Sequence, residues 1–538
     1  MAGSVVRDKG GKTTMQRRFR ALAVLILATM AVAQPALARP DSPTPEDLWK
    51  YGASDKVETL DSQGGNFKIH FVRSGVNAVP SADADGDGTP DHVQNLAALY
   101  EQVLTFYVGL GFKKPLDDKD VPGNNGGDGR FDVYLLDFGK QADGHFQREA
   151  CTGDTCEGFM EVENDFVGYG YPSLDYANRV LASHEFFHAV QAAYDANQNN
   201  VISEGTAVWA TEKFDASLGD FEGFIDGYLS RPDHSLDKPM VGPVDAFSYG
   251  AAIFFEFLDE RLGPQVIVQL WRDCENGQQG VADPQWFQAL SALLSREHQS
   301  SFATEFAAFA WWNVLTGKYA DPKRSYASGK AYPYVAATKL GLADLPYQDT
   351  ELRVFYSSNQ YLRALPGARD IITAGVAVAA SIDPSTLQLR LLTRTGNTLS
   401  DPISLPLVAT GSWLGVDTTA ADEVFAILTN TAQTGESIRG TLCLGSPDEV
   451  AACMPPPADA GANSDAAAGD DATADAKGPA ADGISASETA NSAGASSSKA
   501  GSSSGCTAGP RAAIPGAGWL LVALGAVLVV RKRRQFTR

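Results

Sequence analysis

Histidine is scarce in this chain, with seven residues in 538, and cysteine is scarcer still, with six. Positive charge is also short: 43 Lys and Arg stand against 65 Asp and Glu, for a formal net charge of −22. That deficit argues against a nucleic-acid partner, whose phosphates call for a basic surface. It fits a soluble extracellular protein able to hold divalent cations. Internal repeats are missing, and long apolar runs are confined to the two ends. A hydrophobic share of 44% with only 20% charged residues excludes a wholly disordered chain. At about 150 residues per domain, the length accommodates two or three domains plus tails.

The two ends read as targeting devices. Arg17, Arg18 and Arg20 precede the apolar run 21–33, and Ala36-Leu37-Ala38 is a small-residue cleavage site. Residues 1–38 are therefore expected to be a signal peptide, with the mature chain beginning near Arg39. Residues 454–505 are Ala, Asp, Gly, Ser and Pro with almost no large apolar side chains, the composition of a disordered linker. Gly505-Cys506, the apolar run 512–530 and Arg531-Lys532-Arg533-Arg534 follow. The run is long enough to span a bilayer. The basic cluster would stay cytoplasmic and leave the body outside, membrane-anchored through its tail. This tail, 506–538, resembles the C-terminal sorting signal of myxobacterial surface proteins; the resemblance implies processing, with Cys506 a lipidation candidate. Cysteine usage suits an oxidising compartment. Cys151 with Cys156, and Cys443 with Cys453, can close small loops, leaving Cys274 unpaired; other pairings are also compatible with the spacing.

Between the tails, the pattern predicts an α+β chain. Strands are expected at 66–73, 130–136 and 158–166, with a helix over 92–108. Helices follow at 175–194, from a Ser203 cap to 214, and at 251–262, 284–294 and 302–315. Past residue 350 short strands are expected at 351–355, 375–381, 387–392, 424–428 and 438–444, separated by turns such as Arg394-Thr395-Gly396-Asn397 and Gln433-Thr434-Gly435-Glu436. The expected division is a catalytic domain over 39–345, a small N-terminal sheet plus a helical metal-site region, then an all-β sandwich over 350–446.

His184-Glu185-Phe186-Phe187-His188 lies inside the predicted helix 175–194. Histidines four apart share one helix face, about 5–6 Å apart at Cβ, which suits two zinc ligands. Glu185 can then activate a zinc-bound water and pass its proton to a leaving amine. A metzincin would continue Gly-x-x-His, but Gln191 and Tyr194 occupy those places. Glu204, on the next helix, completes a His₂Glu set with one position open. Glu212, two turns further, is either an outer partner of a zinc histidine or a solvated charge.

The motif His184-Glu185-x-x-His188 with Glu204-Gly205 is similar to gluzincins, and to the aminopeptidase N family in particular. Tyr249-Gly250-Ala251-Ala252 resembles the tyrosine segment of gluzincin aminopeptidases, which implies that Tyr249 steadies an oxyanion. Gly158-Phe159-Met160-Glu161-Val162-Glu163-Asn164 resembles their Gly-x-Met-Glu-Asn strand, where the Glu holds a substrate amine; here Val162-Glu163 is inserted. Residues 60–340 look like a group of bacterial surface metallopeptidases, on the Asp-rich loop, the Gly-Asp-Gly-Arg-Phe-Asp-Val-Tyr strand, the zinc helix and Trp312-Asn313-Val314-Leu315-Thr316-Gly317.

Asp83, Asp85, Asp87, Thr89 and Asp91 follow the alternating pattern of an EF-hand-type calcium loop, although Gln94 stands where that motif has a bidentate Glu. Asn125, Asp128 and Asp132 form a weaker cluster that a polar turn explains equally well. His70, His92, His145, His234 and His298 lack ligand spacing. The leading expectation is a monomeric, secreted, cell-surface zinc endopeptidase acting on protein or peptide, with structural calcium. The alternatives are an inactive or adhesive calcium-binding surface protein, an aminopeptidase, and a zinc hydrolase with a non-peptide substrate.

Overall fold

A run such as Phe-Lys-Ile-His-Phe, buried at every position, needs cover on both sheet faces. The computed structural model supplies that cover. It describes residues 39–454 except 45–46, 120, 122–123, 242–244, 276–282, 380 and 408–410, together with the main chain of Ser504–Gly505. The first sheet holds β1 (Glu58–Asp61), β2 (Phe67–Phe71), β3 (Phe131–Leu136), β4 (Gly144–Thr152) and β5 (Thr155–Glu163), in the order β1-β2-β3-β5-β4. β2, β3 and β5 run parallel; β1 and β4 are antiparallel to their neighbours. Ser504–Gly505 pairs outside β4. Helix α1 (Asp91–Leu110) links β2 to β3 and ends at Gly111, whose φ of 105° is the left-handed conformation that closes a helix.

One face of this sheet packs against α1 and the long helix α2 (Leu174–Ala192). The other is covered by the N-terminal strap: Trp49, Tyr51 and Val57 lie on Val72, Tyr134, Leu136, Phe138 and Phe159. Helices α3 (Asn200–Phe214), α4 (Asp220–Phe224), α5 (Asp226–Leu229), α6 (Ala246–Gly250), α7 (Ala252–Leu262), α8 (Gln265–Asp273), α9 (Trp286–His298) and α10 (Phe302–Trp312) complete the helical part.

The remaining strands are β6 (Thr338–Leu340), β7 (Tyr347–Val354), β8 (Ser358–Ala364), β9 (Ile371–Val378), β10 (Leu387–Thr395), β11 (Thr398–Leu399), β12 (Ile403–Pro406), β13 (Gly411–Asp417), β14 (Glu423–Asn430) and β15 (Ile438–Gly445). They form two sheets, β11-β10-β14-β8-β6 with β12 beside β10, and β13-β9-β15-β7. Leu362, Leu389 and Ala426 from one meet Val376, Leu442 and Leu352 from the other in a shared apolar layer. A last helix, α11 (Pro447–Cys453), is tied to β15 by Cys443–Cys453. The molecule is thus mixed α and β, with several sheets.

Differences from the sequence expectation have local causes. Asn199, not Ser203, caps α3: its Oδ1 accepts from Val201 N at 3.1 Å, so Glu204 lies one turn inside the helix. The expected sandwich start at 350 misses β6, which pairs with β8 and belongs to the same layer. The apolar run 512–530 and Cys506 lie outside the described residues; among those described, no helix is long and apolar enough to cross a membrane.

Candidate metal centre

Helix α2 is buried on every side from Val180 to its end. Phe186 packs on Phe67, Tyr100 and Phe131, and Phe187 on Tyr107 and Phe112. Phe186, two residues from each histidine, lies on the opposite side of the helix and turns His184 and His188 toward α3. α3 brings Glu204 to meet them.

The three groups converge tightly. Glu204 Oε2 stands 3.3 Å from His184 Nε2 and 3.5 Å from His188 Nε2. Glu185 Oε2 is 3.9 Å from His188 Nε2. His184, Glu185 and His188 offer ligand atoms within 4.8 Å of one another, a group that could hold a metal ion. Glu204 approaches both imidazoles more closely than Glu185 approaches His188. All four residues are at least 95% buried, yet His188 Nε2 and Glu185 Oε2 have no hydrogen-bond partner. Buried polar atoms without a hydrogen bond are uncommon; these two face one another at 3.9 Å.

Neighbouring groups set the protonation pattern. Gln191 Nε2 donates to Ser203 O at 2.8 Å and to Thr206 Oγ1 at 3.0 Å. Its Oε1 is left to accept from His188 Nδ1 at 2.8 Å. The proton of neutral His188 is thereby held on Nδ1 and the Nε2 lone pair faces Glu204. Burial lowers His188, but Glu204 and then Glu185 and Gln191 outweigh it, for a pKa of about 9. Burial also pulls His184 below its ordinary value. Burial raises Glu204, but the two imidazoles prevail and hold its carboxylate far below the usual range. For Glu185, burial and then the charges of Glu204 and Asp143 raise the carboxyl, against His188 and the Phe146 main-chain amide, which lower it.

The other candidates are placed less uniformly. The ring of Tyr249 stacks on His184 at 5.6 Å and on Phe224 at 5.1 Å. Glu212 is half-buried; burial and then Glu222 raise it to about 7, with Lys213 opposing and Asp220 and Asp215 adding to the rise. Glu161 pairs with His145 at 3.1 Å on the strap side of the sheet, because alternation along β5 turns Met160 toward α2 and Glu161 away. In the Asp-rich loop, Asp83, Asp85 and Asp91 come together. Asp87 turns instead to Gln94 Nε2 and to the amide of Thr89, both at 2.7 Å. The Asn125, Asp128 and Asp132 set is dispersed: Asp132 binds Arg39 and His70, Asp128 binds Arg130 and Lys68, and Asn125 accepts from Gly127 N. Cys151 is bonded to Cys156 and Cys443 to Cys453, and among the described residues Cys274 is left free and buried.

Sequence reasoning missed Gln191 as a partner of His188, and missed β4. A cavity beside His188 is lined by Phe146 and Arg148 of β4 together with Gln191, Asp195, Ser203 and Trp271.

No family model matches the chain, and no curated protein matches it. Among solved structures it is similar to a family GH115 4-O-methyl-alpha-glucuronidase with specificity for decorated arabinogalactans. That likeness has 10% identity and a TM-score of 0.13; it covers 51% of this chain and spans only 39% of that protein's length. It is too slight to bear on fold or activity.

Proposed function

We propose that this chain is an exported zinc endopeptidase of the gluzincin kind. The observation that carries the reading is the spacing of three buried atoms, His184 Nε2, His188 Nε2 and Glu204 Oε2, at 3.3 and 3.5 Å from carboxylate to each imidazole. Tetrahedral zinc with bonds of about 2.0–2.1 Å separates its ligands by roughly 3.3 Å. The orphaned His188 Nε2 and Glu185 Oε2 fit the same occupant and a water beside it.

A zinc ion held there would supply Lewis acidity toward a peptide carbonyl and toward an attacking water. Glu185 takes the proton of that water and returns it to the leaving nitrogen. Gln191 keeps His188 in the ligating tautomer. Tyr249 is the proposed donor to the carbonyl oxygen as that oxygen gains charge. Glu161, turned toward His145, supports an endopeptidase over an aminopeptidase that would hold a substrate amine there. The disulfides Cys151–Cys156 and Cys443–Cys453 support an oxidising, extracytoplasmic location.

The test is Glu185→Gln. Hydrolysis of an unfolded protein should fall by about 10²–10⁴-fold, the usual worth of a general base, while the zinc content stays at the wild-type level. Undiminished hydrolysis would refute the mechanism.

A calcium ion on Asp83, Asp85 and Asp91 is proposed as a stabilising element. Saturating calcium at about 100 times its Kd should stabilise the fold by about 2.7 kcal/mol and raise the thermal midpoint. Asp85→Asn should abolish that rise, and a wild-type midpoint indifferent to calcium would remove the site. Zinc binding without hydrolysis of any unfolded protein would favour the adhesive-protein reading instead.

A further inference from the structure

Arg39 is the first described residue, and its guanidinium is wholly buried on the strap side of the first sheet. Nε and Nη2 donate to the two carboxylate oxygens of Glu149 at 2.9 and 2.6 Å. Nη1 donates to Asp132 and lies 3.3 Å from the Tyr134 hydroxyl, and Nη2 also donates to Asp118. The cation sits 5.1 Å from the centre of the Phe159 ring. It therefore crosses β5 and joins β3 to β4. Asp132 is also 2.7 Å from His70 Nε2 on β2. Without Arg39, three carboxylates would be buried with only that imidazole among them, an arrangement that costs far more than an exposed ion pair.

Glu149 is not an ordinary strand residue. The pairing of β4 with β5 shifts register between Arg148 and Ala150, so Glu149 is the extra residue of a bulge. Bulges bend a strand and re-aim the side chains next to them. The side chains just before this one reach a cavity beside His188. Phe146 and Arg148 wall the cavity beside His188, and the Phe146 main-chain amide acts to lower the Glu185 carboxyl.

We propose that Arg39 is a positioning residue for the candidate active site: by clamping Glu149 from behind the sheet it fixes the bulge of β4, and with it the Phe146–Arg148 wall that receives substrate. The substrate part rests on the peptidase reading; the clamp itself does not. The expected leader cut falls directly before Arg39. A cut there leaves the clamp as the first residue, whereas a cut one residue later removes it.

The experiment compares wild type, Arg39→Met and Glu149→Gln as mature zinc-loaded chains, by hydrogen exchange and steady-state peptide hydrolysis. Amides of Gly144–Thr152 should exchange about tenfold faster or more in the variants, with β10 and β14 unchanged. The value of kcat/KM should fall by about tenfold through KM, with kcat within about twofold and zinc content unaltered. Glu149→Gln keeps the side-chain volume and serves if Arg39→Met does not fold. Unchanged exchange in β4 would overturn the proposal, as would acceleration of β4, β10 and β14 together, which is general destabilisation. If wild type hydrolyses no peptide, the peptidase reading fails and the exchange arm alone decides the clamp.

Discussion

The proposed zinc site makes opposite demands on His188 before and after binding. In the metal-free site Glu204, Glu185 and Gln191 outweigh burial and raise its pKa to about 9, so at pH 7 it carries a proton. A zinc ligand must be neutral at Nε2. Binding at pH 7 should therefore expel about one proton, and zinc affinity should rise by roughly tenfold per pH unit up to about 9 and then level off. Calorimetric titration in two buffers of different ionisation heat measures that proton; a value of zero would contradict the site described. His184 and His188 were legible in the sequence because helical spacing puts two imidazoles on one face; Glu204 was legible as the carboxylate of the next helix and through the Glu-Gly resemblance. Gln191 was not, because its role depends on Ser203 and Thr206 turning its amide nitrogen away from His188. The side of the sheet that Glu161 faces was hidden for a related reason: it depends on register, which a short motif does not reveal.

At the scale of elements, the glycine after Glu204 has a packing cause. A Cβ on Gly205 would lie 2.7 Å from Cε2 of Phe255 and 3.4 Å from the carbonyl carbon of Ala251. Only a bare Cα lets α3 approach α7 closely enough to hold Glu204 against α2. Gly205→Ala should destabilise the fold by about 1–3 kcal/mol and weaken zinc binding together. Chemical denaturation and zinc titration of one preparation would show it, and no change in either would rule out the close approach. Strand β4 escaped notice because its sequence does not alternate apolar with polar. Gln147, Arg148 and Glu149 stand in a row, since one face meets a polar cavity and the other meets Arg39. β8 was missed likewise: Ser358 and Asn359 are fully buried, where Asn359 N donates to Pro232 O at 2.7 Å and joins the sandwich to the helical part.

At the scale of the whole molecule, the change from helical to short-strand patterning was readable, and the α+β organisation follows from it. The seam between the two parts was not. Ala310, Leu315 and Tyr319 pack on Tyr361, Leu392 and Phe425, residues that as sequence look like ordinary core of one part or the other. Tyr361 fixes the seam by donating its hydroxyl to Ala310 O at 2.9 Å. The candidate metal site lies within the helical part, between α2 and α3. The central claim is that His184, His188 and Glu204 together hold zinc. Anomalous scattering at the zinc absorption edge, from crystals of the chain beginning at Arg39, tests it most directly. The account predicts one peak bonded by His184 Nε2, His188 Nε2 and the Glu204 carboxylate at about 2.0–2.2 Å, with Glu185 outside the bonding distance. A zinc-loaded crystal with no peak there, or with a peak held by other residues, would contradict it.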